Sequence, residues 1–120
     1  MSTSNSDGIL YHNPRCSKSR ASLELLKDNN INPEIVLYLD NPPNANTLEQ
    51  VLSKLGMSPK ELLRSNEQEC KDLNLLDSSI DDSSVIKAMV KHPKLIERPI
   101  YVKGDKAIIG RPPEQVLDIV

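Results

Sequence analysis

The segment from residue 12 to residue 20, HNPRCSKSR, contains the side chains best suited to chemistry in this 120-residue chain. Cys16 lies there between a short apolar run, Ile9-Leu10-Tyr11, and a helical pattern that begins at Ser17. Unpaired N–H groups and the positive end of the helix dipole stabilise an anionic sulfur at such a junction. The segment also supplies three cations, Arg15, Lys18 and Arg20. Because the thiolate is the reactive form of cysteine, we predict that Cys16 is a nucleophile rather than a core residue.

Ser19 determines how an adduct on Cys16 is resolved. It stands where a Cys-x-x-Cys pair would have its second thiol, which resolves a mixed disulfide internally. An adduct on Cys16 therefore needs an outside thiol. The other cysteine, Cys70, lies in an acidic stretch that disfavours a thiolate. No histidine and cysteine pair has close zinc-ligand spacing, so we expect no metal site.

The elements that must position Cys16 begin with a strand at residues 9–11, which Pro14 follows. A helix from Ser17 carries Ala21, Leu23, Leu25 and Leu26 near one face and ends at Asn29-Asn30. The continuously apolar run 35–39 predicts a second strand covered on both sides. Strand, helix and strand in this order indicate a right-handed parallel crossover.

The remaining pattern indicates helices followed by a hairpin. Helices are predicted at 47–55, from the capping Ser58 onward, as a turn near 73–76, and from the capping Asp82 to Pro93. Residues 99–102 and 106–109 flank Gly104-Asp105 as an antiparallel hairpin, and a closing helix turns Val116, Leu117 and Val120 inward. The sequence therefore predicts an α/β fold with a mixed four-stranded sheet and a helical insertion. Residues 1–8 form a disordered lead-in to one domain at 9–120.

Composition excludes several classes of function. The net charge is −2, whereas a general nucleic-acid binder normally has a basic stripe. No apolar tract is long enough to span a bilayer, and the polar start MSTSNSDG has no signal-peptide core. We therefore expect a cytoplasmic protein that binds neither nucleic acid nor membrane.

The ordered motifs resemble those of the glutaredoxin-linked arsenate reductases, a family with a thioredoxin fold. The motifs are HNP-x-C-x-x-SR, Tyr38-Leu39-x-Asn41-Pro42-Pro43, Leu62-Leu63-Arg64, His92-Pro93, Arg98-Pro99-Ile100 and Arg111-Pro112. The resemblance covers nearly the whole chain from Ile9 onward. It implies a thioredoxin-like sheet, arsenate or a similar oxyanion as substrate, glutathione as co-substrate, and glutaredoxin as a partner. It implies no tightly bound cofactor.

The resemblance also assigns roles to individual residues. Cys16 matches the nucleophile, His12 a histidine beside it, and Pro99 a cis-proline facing it. Three arginines match the oxyanion-binding set, Arg64, Arg98 and Arg111. A guanidinium offers a planar, permanently charged fork to a tetrahedral anion, although ordinary surface ion pairing is the alternative role. The alternative for His12 is a structural role at the strand end.

Two other functions remain compatible with the motifs. One is a glutathione-linked thiol oxidoreductase without arsenate activity. The other is a non-enzymatic polymerase-binding regulator of the same fold. Regulators of that kind usually lack an arginine at the position of Arg111 and often carry a Cys-x-x-Cys pair, so Arg111 and Ser19 weigh against this reading.

Overall fold

The computed structural model describes residues 7–120, which divide into two compact units. The first unit joins the chain up to Asn41 with Arg98–Val120, and the second is Pro42–Glu97. The second unit is the stretch that the sequence marks as a helical insertion. No helix within residues 7–120 has both the length and the apolar character needed to cross a membrane.

The first unit contains the sheet. Its elements are β1 at Ile9–Tyr11, α1 at Ser17–Asp28, β2 at Glu34–Val36, β3 at Ile100–Lys103, β4 at Lys106–Ile109 and a 3-10 helix at Pro113–Ile119. The strand order is β2-β1-β3-β4. β1 pairs with β2 in parallel and with β3 antiparallel, and β3 pairs antiparallel with β4. This arrangement confirms the predicted α/β fold with a mixed four-stranded sheet.

The core of the first unit forms where α1 and the closing 3-10 helix cover the sheet. Leu10, Leu26, Tyr101 and Val116 are each fully buried in one cluster. The closing element is a 3-10 helix, and the expectation that Val120 points inward is wrong because that side chain is 51% exposed.

The predicted disordered lead-in needs a correction at its end. Residues 1–6 of it lie outside the described residues. Gly8, however, is buried, and its carbonyl oxygen accepts a hydrogen bond from the Glu34 N–H at 2.9 Å. The Tyr101 hydroxyl donates to the Asp7 carbonyl oxygen at 2.6 Å. Asp7 and Gly8 therefore join the folded region, because β2 and β3 satisfy their backbone groups.

The prediction that the run 35–39 is a strand covered on both sides is wrong. β2 ends at Val36, and the chain turns over the next residues. β2 lies at the edge of the sheet, so it has a single neighbouring strand. As a result three apolar side chains remain 37–39% exposed, Ile35, Leu37 and Leu39.

The buried face of α1 is more polar than its sequence pattern predicts. Ser19, Ser22 and Leu26 are its buried residues, while the other leucines are half-buried. Ser22 lies against Gly110, where an added Cβ would collide with the Ser22 hydroxyl oxygen. The same Cβ would lie 2.9 Å from the Pro99 ring and 3.1 Å from a Val116 methyl group. Glycine is therefore required where α1, the start of β3 and the closing helix meet.

The second unit consists of short helices with well-defined starts. They are α2 at Ala45–Leu55, α3 at Pro59–Leu62, α4 at Gln68–Asp72, α5 at Asp82–Lys91 and a 3-10 helix at Pro93–Leu95. Asn44 caps α2, Ser58 and Glu61 form the predicted capping box of α3, and Asp81 caps α5. The residue at the N-cap position of α4 is Glu67, and its side chain makes no capping hydrogen bond.

Two predictions for this unit are wrong in position. The short helix of this stretch is found at Gln68–Asp72, ahead of the helical turn expected near 73–76, and the stretch buries the side chains of both Cys70 and Leu75. The α5 cap is Asp81 rather than Asp82, since the Asp81 carboxylate accepts the Ser84 N–H at 2.9 Å.

Candidate active site

Cys16 occupies the N-cap position of α1, as the junction of strand and helix predicts. Its backbone is extended, with φ −97° and ψ 124°, and its N–H donates to the Asn13 carbonyl oxygen at 3.0 Å. No side chain caps the helix, and no acidic residue lies in its first turn. The thiol is free and half-buried. The first-turn N–H groups of α1 therefore remain available to an anion at the sulfur.

Ser19 forms hydrogen bonds with His12 and Asn13 in the nucleophile loop, residues 12–16. Its hydroxyl oxygen accepts the Asn13 N–H at 3.0 Å and lies 2.7 Å from His12 Nδ1. Both Ser19 and His12 are buried. In its neutral form the imidazole accepts this bond when its proton is on Nε2 and donates it when its proton is on Nδ1. Ser19 occupies the position at which a dithiol enzyme has its second cysteine. Its hydroxyl holds the nucleophile loop in place there.

His12 is a neutral member of this network. Burial lowers the pKa of the imidazole below its usual 6.5, and the charges of Lys27 and Arg20 lower it further. At pH 7 the ring therefore has no charge, so His12 acts through hydrogen bonds rather than as a cation. Its backbone N–H donates to the Val36 carbonyl oxygen at 2.9 Å, which ties the end of β1 to the end of β2.

Arg98 and Arg111 come together at one end of the β3–β4 hairpin. Ile100 pairs with Ile109, and the Gly110 N–H donates to the Pro99 carbonyl oxygen at 2.9 Å. Arg98 precedes Pro99 and Arg111 follows Gly110 in the chain, so both arginines lie next to this end of the hairpin. Both side chains are half-buried. Two guanidinium groups therefore flank the end of the hairpin.

The same end of the sheet is where β1 leads to Cys16. Tyr11 pairs with Ile100 in the antiparallel β1–β3 ladder, so the loop that leaves β1 emerges beside the start of β3. Pro99 is fully buried there, and the Arg98–Pro99 and Arg111–Pro112 peptide bonds are both cis. The first unit therefore brings Cys16 and two of the three predicted anion-binding arginines to the same end of the sheet.

Arg64, the third predicted arginine, belongs to the second unit. Its guanidinium lies 3.2 Å from a Glu67 carboxylate oxygen and 3.7 Å from one of Glu97. The side chain is 23% exposed, and its backbone N–H donates to the Leu95 carbonyl oxygen at 2.8 Å. The described contacts of Arg64 are therefore ion pairs with two carboxylates, and oxyanion binding by this residue stays a prediction.

Cys70 has the surroundings of a structural cysteine. It is 2% exposed in the second unit, and burial raises the pKa of its thiol. Within residues 7–120, no group of three or more histidine, cysteine, aspartate or glutamate side chains lies close enough to hold a metal ion.

A cavity of about 300 Å³ opens beside the nucleophile loop. The wall on one side is the loop that precedes Cys16, and the opposite wall is the turn that follows β2. The lining residues are His12, Asn13, Pro14, Arg15, Leu37, Leu39 and Asp40. The sequence pattern did not indicate this cavity, because it assigned Leu37 and Leu39 to a buried strand.

Sequence reasoning also missed the structural roles of Ser19, Ser22 and Gly110. Serine on an apolar helix face gives no periodic signal, and a glycine after a strand resembles an ordinary turn residue. The one available signal was the small-residue spacing Ser19 and Ser22, three apart on α1, which permits close approach of another element.

The fold and site together define a thioredoxin-like protein with a free cysteine at the start of its first helix. The chain belongs to the ArsC family, whose model matches residues 11–119. It is 45% identical over 113 residues to an arsenate reductase of Haemophilus influenzae, covering 93% of this chain and 97% of that protein. It is also 59% identical over 112 residues to the uncharacterized protein YfgD of Escherichia coli K12, covering 92% and 94% of the two chains.

A solved structure agrees with this family assignment. The arsenate reductase from Vibrio cholerae superposes with a TM-score of 0.91 at 45% sequence identity, and the match covers 93% of this chain and 96% of that one. The prediction of a thioredoxin-like fold, made from the motif resemblance, is confirmed.

Proposed function

We propose that this protein reduces arsenate to arsenite through a covalent adduct on Cys16, with glutathione as co-substrate and glutaredoxin as the final reductant. The observation that carries the proposal is the position of Cys16 at the uncapped start of α1, at the same sheet end as Arg98 and Arg111. The names of the Haemophilus and Vibrio relatives support the choice of arsenate among oxyanions.

The reaction begins when the Cys16 thiolate attacks arsenic(V). A sulfur–arsenic bond forms and one arsenic–oxygen bond breaks, with that oxygen leaving as water after it takes up protons. Negative charge on the remaining oxygens is stabilised by Arg98, Arg111 and the first-turn N–H groups of α1.

Glutathione completes the reduction because Ser19 cannot. Its thiolate attacks the Cys16 sulfur, a disulfide bond forms, and the sulfur–arsenic bond breaks. The electron pair of that bond reduces arsenic(V) to arsenic(III), which leaves as arsenite. The two thiols that are oxidised supply the two electrons. Glutaredoxin then removes glutathione by thiol–disulfide exchange and restores the Cys16 thiolate.

His12 and Ser19 act as positioning residues in this scheme. The Ser19 hydroxyl holds His12 and the Asn13 backbone in place, and Asn13 in turn accepts the Cys16 N–H. The network therefore orients the loop from which the sulfur attacks. Cys16 must return to its reduced form in every turnover, so we place the protein in the cytoplasm, where thiol pools keep cysteines reduced.

The test is a coupled assay of NADPH oxidation with arsenate, glutathione, glutaredoxin and glutathione reductase. We expect arsenate-dependent oxidation in the wild type and its loss in Cys16→Ser. Arg98→Ala and Arg111→Ala each remove a charge-assisted contact of about 1.5–3 kcal/mol and should raise KM for arsenate roughly ten- to hundredfold. Cys70→Ala is the matched cysteine control and should retain activity.

Two outcomes would contradict the proposal. If the wild type shows no arsenate-dependent oxidation while the coupling enzymes are demonstrably active, arsenate is not the substrate. Reduction of glutathione mixed disulfides would then be the function to measure next. If Cys16→Ser retains activity and Cys70→Ala loses it, the nucleophile is misassigned.

A further inference from the structure

We propose that the cavity between the nucleophile loop and the turn after β2 is the binding site for the glutathione co-substrate. The inference rests on the proposed function, and it adds where glutathione binds and which side chains hold it. The cavity has a volume of about 300 Å³, the lower end of the usual range for small-molecule sites.

The cavity lies where an attacking thiol is needed. Pro14 and Arg15 line it, and Cys16 is the next residue in the chain. In the strand order β2-β1-β3-β4, this cavity lies on the β2 side of the loop, while Arg98 and Arg111 lie at the β3–β4 hairpin. The oxyanion and the thiol would therefore approach Cys16 from different sides, which leaves room for both in one complex.

The charges of the lining fit glutathione better than arsenate. Arg15 and Asp40 both border the cavity, and neither makes an ion pair with another residue of the described chain, 7–120. Glutathione has carboxylates at both ends and an ammonium group beside one of them. A carboxylate pairs with Arg15 and the ammonium with Asp40, whereas the Asp40 carboxylate would repel arsenate.

The apolar lining fits the same ligand. Leu37 and Leu39 border the cavity and are 38% and 37% exposed. They form an apolar wall against which the methylene groups of the γ-glutamyl and cysteinyl residues can pack. Apolar walls with a few polar anchors are typical of small-molecule sites.

The experiment compares Arg15→Gln and Asp40→Asn with the wild type. KM for glutathione is measured at saturating arsenate, and KM for arsenate at saturating glutathione. Each variant should raise KM for glutathione about tenfold, the effect of losing about 1.4 kcal/mol. KM for arsenate should change by less than about twofold in Asp40→Asn. Asp105→Asn, in the hairpin turn, and Lys106→Gln, at the exposed start of β4, are the matched charge controls and should behave as wild type.

The direction in which Asp40→Asn changes KM for glutathione distinguishes a specific contact with the ammonium group from a general electrostatic effect. Removing a negative charge near the site would tighten the binding of any anion, and glutathione has a net negative charge. Weaker glutathione binding in Asp40→Asn therefore supports the ammonium contact. Unchanged or tighter binding overturns the assignment, as does an effect on KM for glutaredoxin in place of glutathione.

A binding measurement keeps this inference separate from arsenate reduction. Cys16→Ser protein is titrated with S-methylglutathione, which cannot react, and chemical shifts of the residue 12–15 and 37–40 amides are followed by NMR. Saturable shifts that weaken in the Arg15→Gln and Asp40→Asn backgrounds support the site even if arsenate is not the substrate. No saturable shift in these segments overturns the site, whatever the outcome of the arsenate assay.

Discussion

Three helices of the second unit, α2, α3 and α5, differ from α1 in how they use the backbone N–H groups of their first turns. Asn44, Ser58 and Asp81 each accept a first-turn N–H of α2, α3 or α5. At α1 the capping residue is Cys16, and no side chain accepts a first-turn N–H. Side-chain caps contribute about 0.5–2 kcal/mol each, so α1 lacks a stabilisation that α2, α3 and α5 have. The unclaimed N–H groups are what an anionic sulfur or oxyanion binds.

The largest expected effect comes from giving α1 an ordinary cap. Cys16→Ser should lower arsenate-dependent turnover by about 10³-fold or more, because the nucleophile is gone. The same change should raise the free energy of unfolding by about 0.5–1 kcal/mol, since a serine oxygen can accept a first-turn N–H. The measurements are the coupled assay and urea unfolding. Cys16→Ala is the control that loses activity without gaining a cap, and an unfolding midpoint equal in both variants would refute the comparison.

The next effect concerns Ser19, whose hydroxyl holds in place the loop that precedes α1. Ser19→Ala removes the partner of the buried Asn13 N–H and His12 Nδ1. We expect a loss of about 1–3 kcal/mol in the free energy of unfolding, together with a lower kcat. Ser22→Ala is the matched control, because Ser22 is also fully buried but makes only a 3.5 Å hydrogen bond to Pro113. Equal losses in the two variants would show that the Ser19 hydrogen bonds are not special.

A smaller effect is expected from removing a cap in the second unit. Asp81→Ala takes away the acceptor of the Ser84 N–H and should cost about 1 kcal/mol of unfolding free energy. Arsenate and glutathione KM values should stay at wild-type levels, since this cap serves stability alone. Urea unfolding and steady-state kinetics check both parts. A change in either KM with little loss of stability would mean that the two kinds of helix start are not functionally distinct.

The smallest effect is a pH dependence of stability from His12. The pKa of His12 in the folded state lies below the ordinary value of 6.5. As the pH falls through 6.5, the unfolded chain therefore binds more protons than the folded chain. The free energy of unfolding should therefore decrease between about pH 7 and pH 5. His12→Asn should flatten this part of the profile, measured by urea unfolding at several pH values. An unchanged slope would show that His12 is not the group responsible.

The sequence was sufficient for the overall fold because its signals are local and strong. The hairpin around Gly104-Asp105 and the capping box at Ser58 are both formed as predicted. The position of Cys16 at the start of α1 also follows from local patterns. Each of these features depends on neighbouring residues, so a single sequence contains the information.

The parts that sequence missed depend on neighbours distant in the chain. Edge and central strands have similar compositions, so nothing in residues 35–39 showed that β2 has one neighbour and leaves Leu37 and Leu39 exposed. The cavity beside the nucleophile loop follows from that exposure. The ion pair of Arg64 with Glu97 likewise depends on packing within the second unit, because residue 97 lies more than thirty positions along the chain.

Gly110 limits how this molecule can change over evolution. Its missing side chain allows α1, the cis-proline segment and the closing helix to meet at one point. Any larger residue would force a shift of the Ser22, Pro99 or Val116 side chain, on the three elements that meet there. Variation in the size of the anion accepted therefore has to arise in the loops around this point, while position 110 itself tolerates almost no change.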